Sequence, residues 1–303
     1  MSGKGQLIGI DLGGTAIKAG RIDRDGENRK RLEVPAHVNE GPLAVCERIA
    51  NLTRELGGAS TIGIGVPGLI DRNRGLVTHS PNLAPMEGFA LCEELARELG
   101  LRPEDVRLEN DANAAALGEH WLGAARDEEN VLMVTLGTGI GGGLILNQRL
   151  FTGSGGLAAE VGHVNVDPNG PRCGCGNRGC LEALASATAA SRRARDAGLS
   201  GDLQELCAEA RAGEEKPAKL LVEIGRDLGR GLAQAVMLLD LDCFLIGGGF
   251  GAALDLLLPG IQEGLLERSY GRTRESLRVL PALLGADAGW IGAAKLGEGS
   301  TPR

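Results

Sequence analysis

The chain has 303 residues, 43% hydrophobic and 24% charged, with a formal net charge of −8, the make-up of a globular protein long enough for two ordinary domains. The acidic balance argues against a nucleic-acid partner, which would call for a basic face. No apolar run approaches the roughly 18 residues that span a bilayer, which argues against a membrane partner. Met1 to Gln6 is too short for a signal peptide, so a cytoplasmic location is expected. The unusual numbers are 49 glycines against four Phe, two Trp and one Tyr. Many positions are therefore suited to tight turns or close backbone approach, and few rings are left to stack on a ligand.

In chain order, Leu7 to Asp11 is a short apolar strand pattern, Gly13-Gly14 a turn, and Thr15 to Ile22 a second strand, together a hairpin with a glycine bend. Val45, Ile49, Leu52 and Leu56 follow a helical stripe ending at Gly57-Gly58, and Thr61 to Val66 reads as a strand ending at Pro67-Gly68. Leu91, Leu95 and Leu99 repeat the helical spacing before Gly100. Val106 to Glu109 is a buried strand pattern, and Asp111 stands where a carboxylate would cap a helix over 112–122. Val131 to Leu136, Gly137-Thr138-Gly139 and Ile140 to Leu146 then repeat the glycine hairpin about 125 residues after the first, which suggests two homologous halves. Helical patterns follow at 183–197, 202–211 and 217–239. A strand at 242–246 runs into Gly247-Gly248-Gly249, and another helix and a strand near 277–284 come after it. Strands alternating with helices predict an α/β protein in two lobes, with a packed hinge near 115–130.

Chemistry concentrates in few places. His163, Cys173, Cys175 and Cys180 put one imidazole and three thiols within eighteen residues, the ligand set of a tetrahedral zinc site with no position left for water and so a structural one. Unpaired or disulfide-forming cysteines are the alternative, disfavoured by an odd total of seven and by spacing too tight for unstrained pairing. Cys46, Cys92, Cys207 and Cys243 lie in apolar surroundings, where a reduced thiol behaves as a small core residue. The segment Asp11 to Lys18 gathers an acid, Gly13, Gly14, the Thr15 hydroxyl and the Lys18 amine around one turn. Bare amides there can approach phosphate oxygens, and Asp11 can hold magnesium or its waters, although such a turn is also a common hairpin bend. It is not a Walker A loop. With Thr138 and Gly139 in the second hairpin and Gly248 and Gly249 in a third turn, the set suggests a nucleotide wedged between lobes. Asp111, if not simply a helix cap, would be a general base that takes a proton from a substrate hydroxyl during phosphoryl transfer. Glu160, His163 and Glu182, if not simply polar loop residues, would suit the hydroxyls of a hexose, held still by the metal loop.

These residues resemble the ROK family of bacterial sugar kinases and repressors, most closely its glucokinase branch, in the actin-like (ribonuclease H-like) ATPase superfamily. The resemblance covers residues 7 to 297. It rests on E-V-G-H followed by C-G-C-G-N-R-G-C-L-E, and on L-E-N-D-A-N-A-A-A-L-G-E. It implies a two-lobed α/β fold with a nucleotide cleft between a small N-terminal lobe, 1–117, and a larger one, 118–303, that carries the zinc loop. A C-terminal helix over about 288–303 would pack back on the small lobe. It further implies ATP, Mg2+ and a structural Zn2+ as cofactors, and a homodimer or higher homo-oligomer. Asp111 would be the base, and Gly68, Asn82, Asn110, Asp111, Glu160, His163 and Glu182 would line the sugar pocket, His163 serving metal with one nitrogen and sugar with the other. The expected activity is phosphorylation of the 6-hydroxyl of a hexose, most readily glucose. An N-acetylhexosamine or fructose kinase, or a non-catalytic sugar-sensing protein, is the alternative. The repressor branch carries an extra domain before the first hairpin, where this chain has six residues, so that branch is not expected. Two departures bear on pocket shape: Ala158-Ala159-Glu160 stands where the family often has A-G-E, and Met86 where it often has tryptophan.

Overall fold

The computed structural model describes residues 6–27 and 29–298. In chain order the elements are β1 (Gln6–Leu12), β2 (Ala16–Asp23), β3 (Lys30–Pro35), α1 (Pro42–Glu55), β4 (Ile62–Val66), β5 (Leu69–Asp71), β6 (Leu76–His79), α2 (Leu91–Leu99), β7 (Val106–Asn110) and α3 (Asp111–Leu122). They continue as β8 (Val131–Leu136), β9 (Ile140–Leu146), β10 (Arg149–Phe151), α4 (Leu181–Ala185), α5 (Ala187–Asp196), α6 (Leu203–Arg211), α7 (Glu215–Leu239), β11 (Cys243–Gly247), α8 (Leu254–Arg268), β12 (Arg278–Pro281) and α9 (Ala288–Gly297). The chain divides into two compact units. The first holds the described residues up to Asp127, Gly143–Ala158 and the described residues from Ala286 onward; the second holds Glu128–Gly142 and Ala159–Gly285. Among the described residues no helix is long and apolar enough to cross a membrane.

The first sheet has the order β3-β2-β1-β4-β7, with β1, β2 and β3 antiparallel and β1, β4 and β7 parallel. Its two faces follow from a short sequence alternation. Ile8-Gly9-Ile10 on β1 lies level with Ile62-Gly63-Ile64 on β4. Side chains in a strand alternate between faces, so the isoleucines share one face and the glycines the other. The isoleucines join Val45, Ile49 and Leu52 of α1 and Leu91 and Leu95 of α2 in one buried core. The glycines let α9 lie directly on the backbone. A Cβ at Gly9 would overlap the carbonyl of Trp290, one at Gly63 that of Ala293, and one at Gly292 that of Ala114 on α3. Trp290, only 1% exposed, lies over Gly20 and donates from its indole nitrogen to Asp287 at 2.8 Å.

The second sheet has the order β10-β9-β8-β11-β12, with β10 and β9 antiparallel and β8, β11 and β12 parallel. The two orders correspond strand for strand: an antiparallel trio first, then two parallel additions. The repeat read from the glycine hairpins is thus a repeat of whole sheets, although the chain passes from one unit to the other within β9, between Gly142 and Gly143. In the second unit α7 and α8 approach through glycine: a Cβ at Gly225, Gly229, Gly260 or Gly264 would meet the facing helix's backbone. Arg226 pairs with Glu263 and Arg230 with Glu267 beside that contact.

Two local expectations differ from what is found. The helical stretch at 183–197 is two helices, because Ser186 takes an extended conformation and its hydroxyl accepts from Ala189 N–H at 3.1 Å, capping α5. A serine offers the backbone this alternative to continued helix. The cap of α3 is Asn110 rather than Asp111, since the Asn110 side chain accepts from the N–H groups of Ala112 and Asn113 and the helix begins at Asp111.

The contact of α9 with α3 leaves no space for a side chain at Gly292. Gly292→Val should lower stability by about 1–3 kcal/mol through overpacking, read as a lower urea midpoint at unchanged slope. An unchanged midpoint would show that the two helices are not so closely apposed.

Candidate active site and metal centre

In the first unit the polar residues collect at the carboxyl ends of the three parallel strands. Asp11 of β1 lies level with Gly65 of β4, and Gly65 with Glu109 of β7. Neighbouring strands are about 4.8 Å apart, so Asp11 is about 10 Å across the sheet from the end of β7, where Asp111 opens α3. In open α/β sheets this edge is where ligands bind. Asp111 is partly buried, and its Oδ1 accepts from Ala112 N–H at 2.9 Å. Asn110 is fully oriented: Oδ1 accepts from the backbone of α3, and Nδ2 donates to the Gly68 carbonyl at 3.2 Å. Gly68 has φ +99°, and a Cβ there would overlap the carbonyl of His79 and stand 2.7 Å from the Ser80 Cβ. Only glycine fits that turn.

The first hairpin lies at the same edge. Asp11 and Lys18 are opposite residues of β1 and β2, with Lys18 Nζ 3.7 Å from Asp11 Oδ2. Burial pushes the Asp11 carboxyl up, against the pull of Lys18. A cation beside it would offset that cost, so one partly buried carboxylate is suited to hold magnesium or its waters. Gly13 N–H closes the turn onto Ala16 O at 2.9 Å, Thr15 is exposed, and a Cβ at Gly14 would stand 2.8 Å from the Asn82 carbonyl. Asp11, Gly13, Gly14, Thr15, Lys18 and Asn82 are thus gathered at one hairpin, and Gly68, Asn110 and Asp111 are gathered at the end of β7.

In the second unit Glu182 joins two features that lie far apart in sequence. On the first turn of α4, its Oε2 accepts from Ile140 N–H at 3.0 Å, and a Cβ at Gly139 would overlap its carboxylate. Its Oε1 is 3.8 Å from Cys173 Sγ. The turn 137–139 is fixed further by Ala187 N–H on Gly137 O at 2.9 Å and by the Thr188 hydroxyl on Thr138 O at 2.8 Å. Beside it, Gly248 at φ +82° packs its backbone onto Leu136. A Cβ at Gly137 or at Gly249 would meet nothing within 4 Å. The turns containing Thr138, Gly139, Gly248 and Gly249 therefore end the neighbouring parallel strands β8 and β11, with space open at Gly137 and Gly249.

His163, Cys173, Cys175 and Cys180 converge, with their ligand atoms all within 4.8 Å of one another. His163 Nδ1 is 3.7 Å from Cys173 Sγ, and the sulfurs of Cys175 and Cys180 are 3.6 Å apart. Tetrahedral bonds of about 2.3 Å to sulfur put ligand atoms about 3.8 Å apart, so the cluster has the dimensions of a four-ligand zinc centre. Burial raises the thiols of Cys173 and Cys180, the latter to about 12; a cation among them is what would ionise them. Because Nδ1 is directed at the sulfurs, Nε2 of the exposed His163 points away from them. Glu160 is tied to His163 through the latter's N–H on its carbonyl at 3.0 Å. Burial raises the Glu160 carboxyl, with Glu182 raising it further and His163 opposing, so these three groups lie within electrostatic reach. Glu160 follows Ala159, which holds φ +67°, a conformation that glycine adopts freely and alanine does not.

Glu109 and Arg72, an ion pair next to Asn110 in which Glu109 is buried and Arg72 partly so, were not singled out from the sequence. A charged residue amid the buried positions of β7 was the available signal for Glu109; nothing local marked Arg72.

The ROK family model matches residues 7–299. The glucokinase of Thermotoga maritima is 38% identical over 309 residues, spanning 96% of this chain and 96% of that protein. Among solved structures, the ROK hexokinase from Thermus thermophilus superposes with a TM-score of 0.82 at 37% identity, over 97% of this chain and 100% of that one. A ROK family glucokinase from Streptomyces griseus, solved in complex with glucose and AMPPNP, gives 0.79 at 33% identity, over 96% and 99%.

Elemental analysis of the purified protein should find one divalent ion per chain if the cluster holds a metal as its dimensions allow. Cys175→Ser should lower metal content and melting temperature together; full metal content in that variant would exclude Cys175 as a ligand.

Proposed function

The chain belongs to the ROK family, and from that premise we propose that it transfers the γ-phosphoryl group of ATP to the 6-hydroxyl of a hexose, most readily glucose. The observation that carries the reading is the place of Asp111: first residue of α3, at the carboxyl edge of the parallel strands, two residues past Glu109, with which Asp11 is level across the sheet. Asp111 takes the proton of the 6-hydroxyl as the phosphorus transfers. Such transfer requires chiefly alignment and charge neutralisation, so a fixed carboxylate and a set of oriented backbone donors suffice.

The remaining roles follow from donor chemistry. Gly68, Asn82 and Asn110 are proposed as sugar contacts in the first unit. Asn110 keeps one Nδ2 hydrogen beyond its bond to Gly68, available to a sugar oxygen. Glu160 and Glu182 offer carboxylate acceptors for sugar hydroxyls, and His163 offers Nε2. Gly13, Gly14, Thr15 and Lys18, together with Thr138, Gly139, Gly248 and Gly249, are proposed for the nucleotide. Magnesium, when bound, neutralises the phosphate oxygens, and Asp11 is the residue that would hold it or its waters. Zinc is proposed for the His163, Cys173, Cys175 and Cys180 cluster, where a closed ligand set makes it a structural ion that holds Glu160 and Glu182 in place.

The experiment is a coupled ADP assay beside calorimetric sugar binding. Asp111→Asn should reduce kcat by about 10²–10⁴-fold, the usual contribution of a positioned base, while sugar binding remains measurable. Turnover within a few-fold of wild type would remove Asp111 from the role. In a sugar panel, glucose should show a higher kcat/KM than N-acetylmannosamine, N-acetylglucosamine or fructose; a higher value for any of these would reassign the substrate.

A further inference from the structure

Next to the proposed base, β7 carries a carboxylate that the reaction as proposed does not use. Glu109 is 2% exposed, and four donors surround it. Arg72 Nε donates to Oε2 at 2.8 Å and Arg72 Nη2 to Oε1, while Oε1 also accepts from Asn110 N–H at 2.8 Å and from Asn113 Nδ2 at 2.9 Å. An ionised carboxylate has about four acceptor sites, so this one has little capacity left for a substrate proton.

Its donors come from separate stretches of chain. Arg72 directly follows β5, four residues after Gly68. Asn110 caps α3 and donates in turn to the Gly68 carbonyl. Asn113 lies in the first turn of α3. Arg72 also donates from Nη1 to the Gly156 carbonyl at 3.3 Å, and a Cβ at Gly156 would overlap its guanidinium. The ring Gly68–Asn110–Glu109–Arg72 is therefore closed by hydrogen bonds on one side and by the chain from 68 to 72 on the other. The residues proposed to act on the sugar, Gly68, Asn110 and Asp111, are on this ring or bonded to it covalently.

We infer that Glu109 and Arg72 form a positioning pair that sets the orientation of Asn110 and Asp111 and the height of the Gly68 turn, and so governs sugar alignment and the phosphoryl-transfer step. The inference deepens the proposed kinase reading and rests on it. A bidentate arginine fork is specific to the pair: lysine retains the charge but loses the two parallel bonds. Glutamine at 109 retains the shape, but it turns an acceptor into a donor facing either the backbone N–H of Asn110 and the amide of Asn113 or the arginine, and leaves the partly buried guanidinium without its counter-charge.

The test uses Glu109→Gln and Arg72→Lys in the full chain, with steady-state kinetics for both substrates, circular dichroism and thermal melting. Expected in each folded variant is a kcat lower by about 10- to 100-fold, as for a misplacement on the order of 1 Å, a raised sugar KM, and an ATP KM within about twofold of wild type. The double variant should lose much less than the product of the single losses, because the two side chains act as one unit. Should Glu109→Gln fail to fold, Arg72→Lys carries the test alone, its side chain being partly exposed. Wild-type kcat and sugar KM in a folded Arg72→Lys variant would overturn the inference. So would a loss of activity in proportion to folded enzyme with both KM values unchanged, which is what a purely structural role gives. Asp111→Asn and the wild type run in parallel separate the two readings: if Asp111→Asn is inactive while the positioning variants turn over normally, this inference fails and the kinase reading stands, and if the wild type releases no sugar-dependent ADP the kinase reading itself fails.

Discussion

The parallel register of β1, β4 and β7 is the constraint on which the first unit's chemistry depends. It brings the ends of three strands, separated by some fifty residues of sequence each, to one edge, and each strand delivers a different group there: Asp11, the Gly68 turn, and Asn110 with Asp111. Register in a sheet is fixed by what its two faces bury. Here the faces are unequal, isoleucine toward α1 and α2 and glycine toward α9. A slip of one residue would drive isoleucine side chains into the backbone of α9 and leave the opposite core without its apolar contacts. The placement of Asp11 against Asp111 is thus determined by packing on both faces of the sheet, far more than by any contact between the two acids.

The second unit reaches the same result by a different means. Its loop from 159 to 180 has little regular structure beyond one short turn, so sheet packing alone does not order it. Hydrogen bonds and a cluster of ligating side chains take over: Leu181 N–H on Val164 O at 3.0 Å, Cys173 N–H on Asn177 O at 2.8 Å, and Gly179 N–H on Pro171 O at 2.8 Å frame the four ligands. Glu182 then connects the end of that frame to the turn after β8. Moving the loop would move the glycine turn, which gives one carboxylate a part in the geometry of both.

Much of this was legible in the sequence, and the parts that were not have physical reasons. The hairpins β1–β2 and β8–β9 were readable because apolar runs flank paired glycines, and the four-ligand cluster because its members lie within eighteen residues. The strands β3, β5, β6 and β10 were not, because they are short or polar and are specified by the strand beside them rather than by their own pattern. Asn110 and Asp111 are both good cap residues, and only the backbone geometry at the end of β7 decides between them. Arg72 and Glu109 are 37 positions apart, and a pair joined only by tertiary structure leaves no mark in local spacing.

Ala159 shows how far such a framework can be driven from local preference. Its φ of +67° costs a non-glycine residue on the order of 1 kcal/mol, and the sequence resemblance makes glycine the usual occupant. Neighbouring structure dictates the conformation: a Cβ at Gly142 would overlap the Ala159 carbonyl, so β9 presses on this peptide, while Glu160 and His163 are joined in a single turn just beyond it. A methyl group at this position removes backbone freedom that glycine would have in the unfolded chain, which offsets part of the strain. The net result is that Glu160 enters its turn from a backbone constrained on both sides, within the same loop that gathers the four ligands.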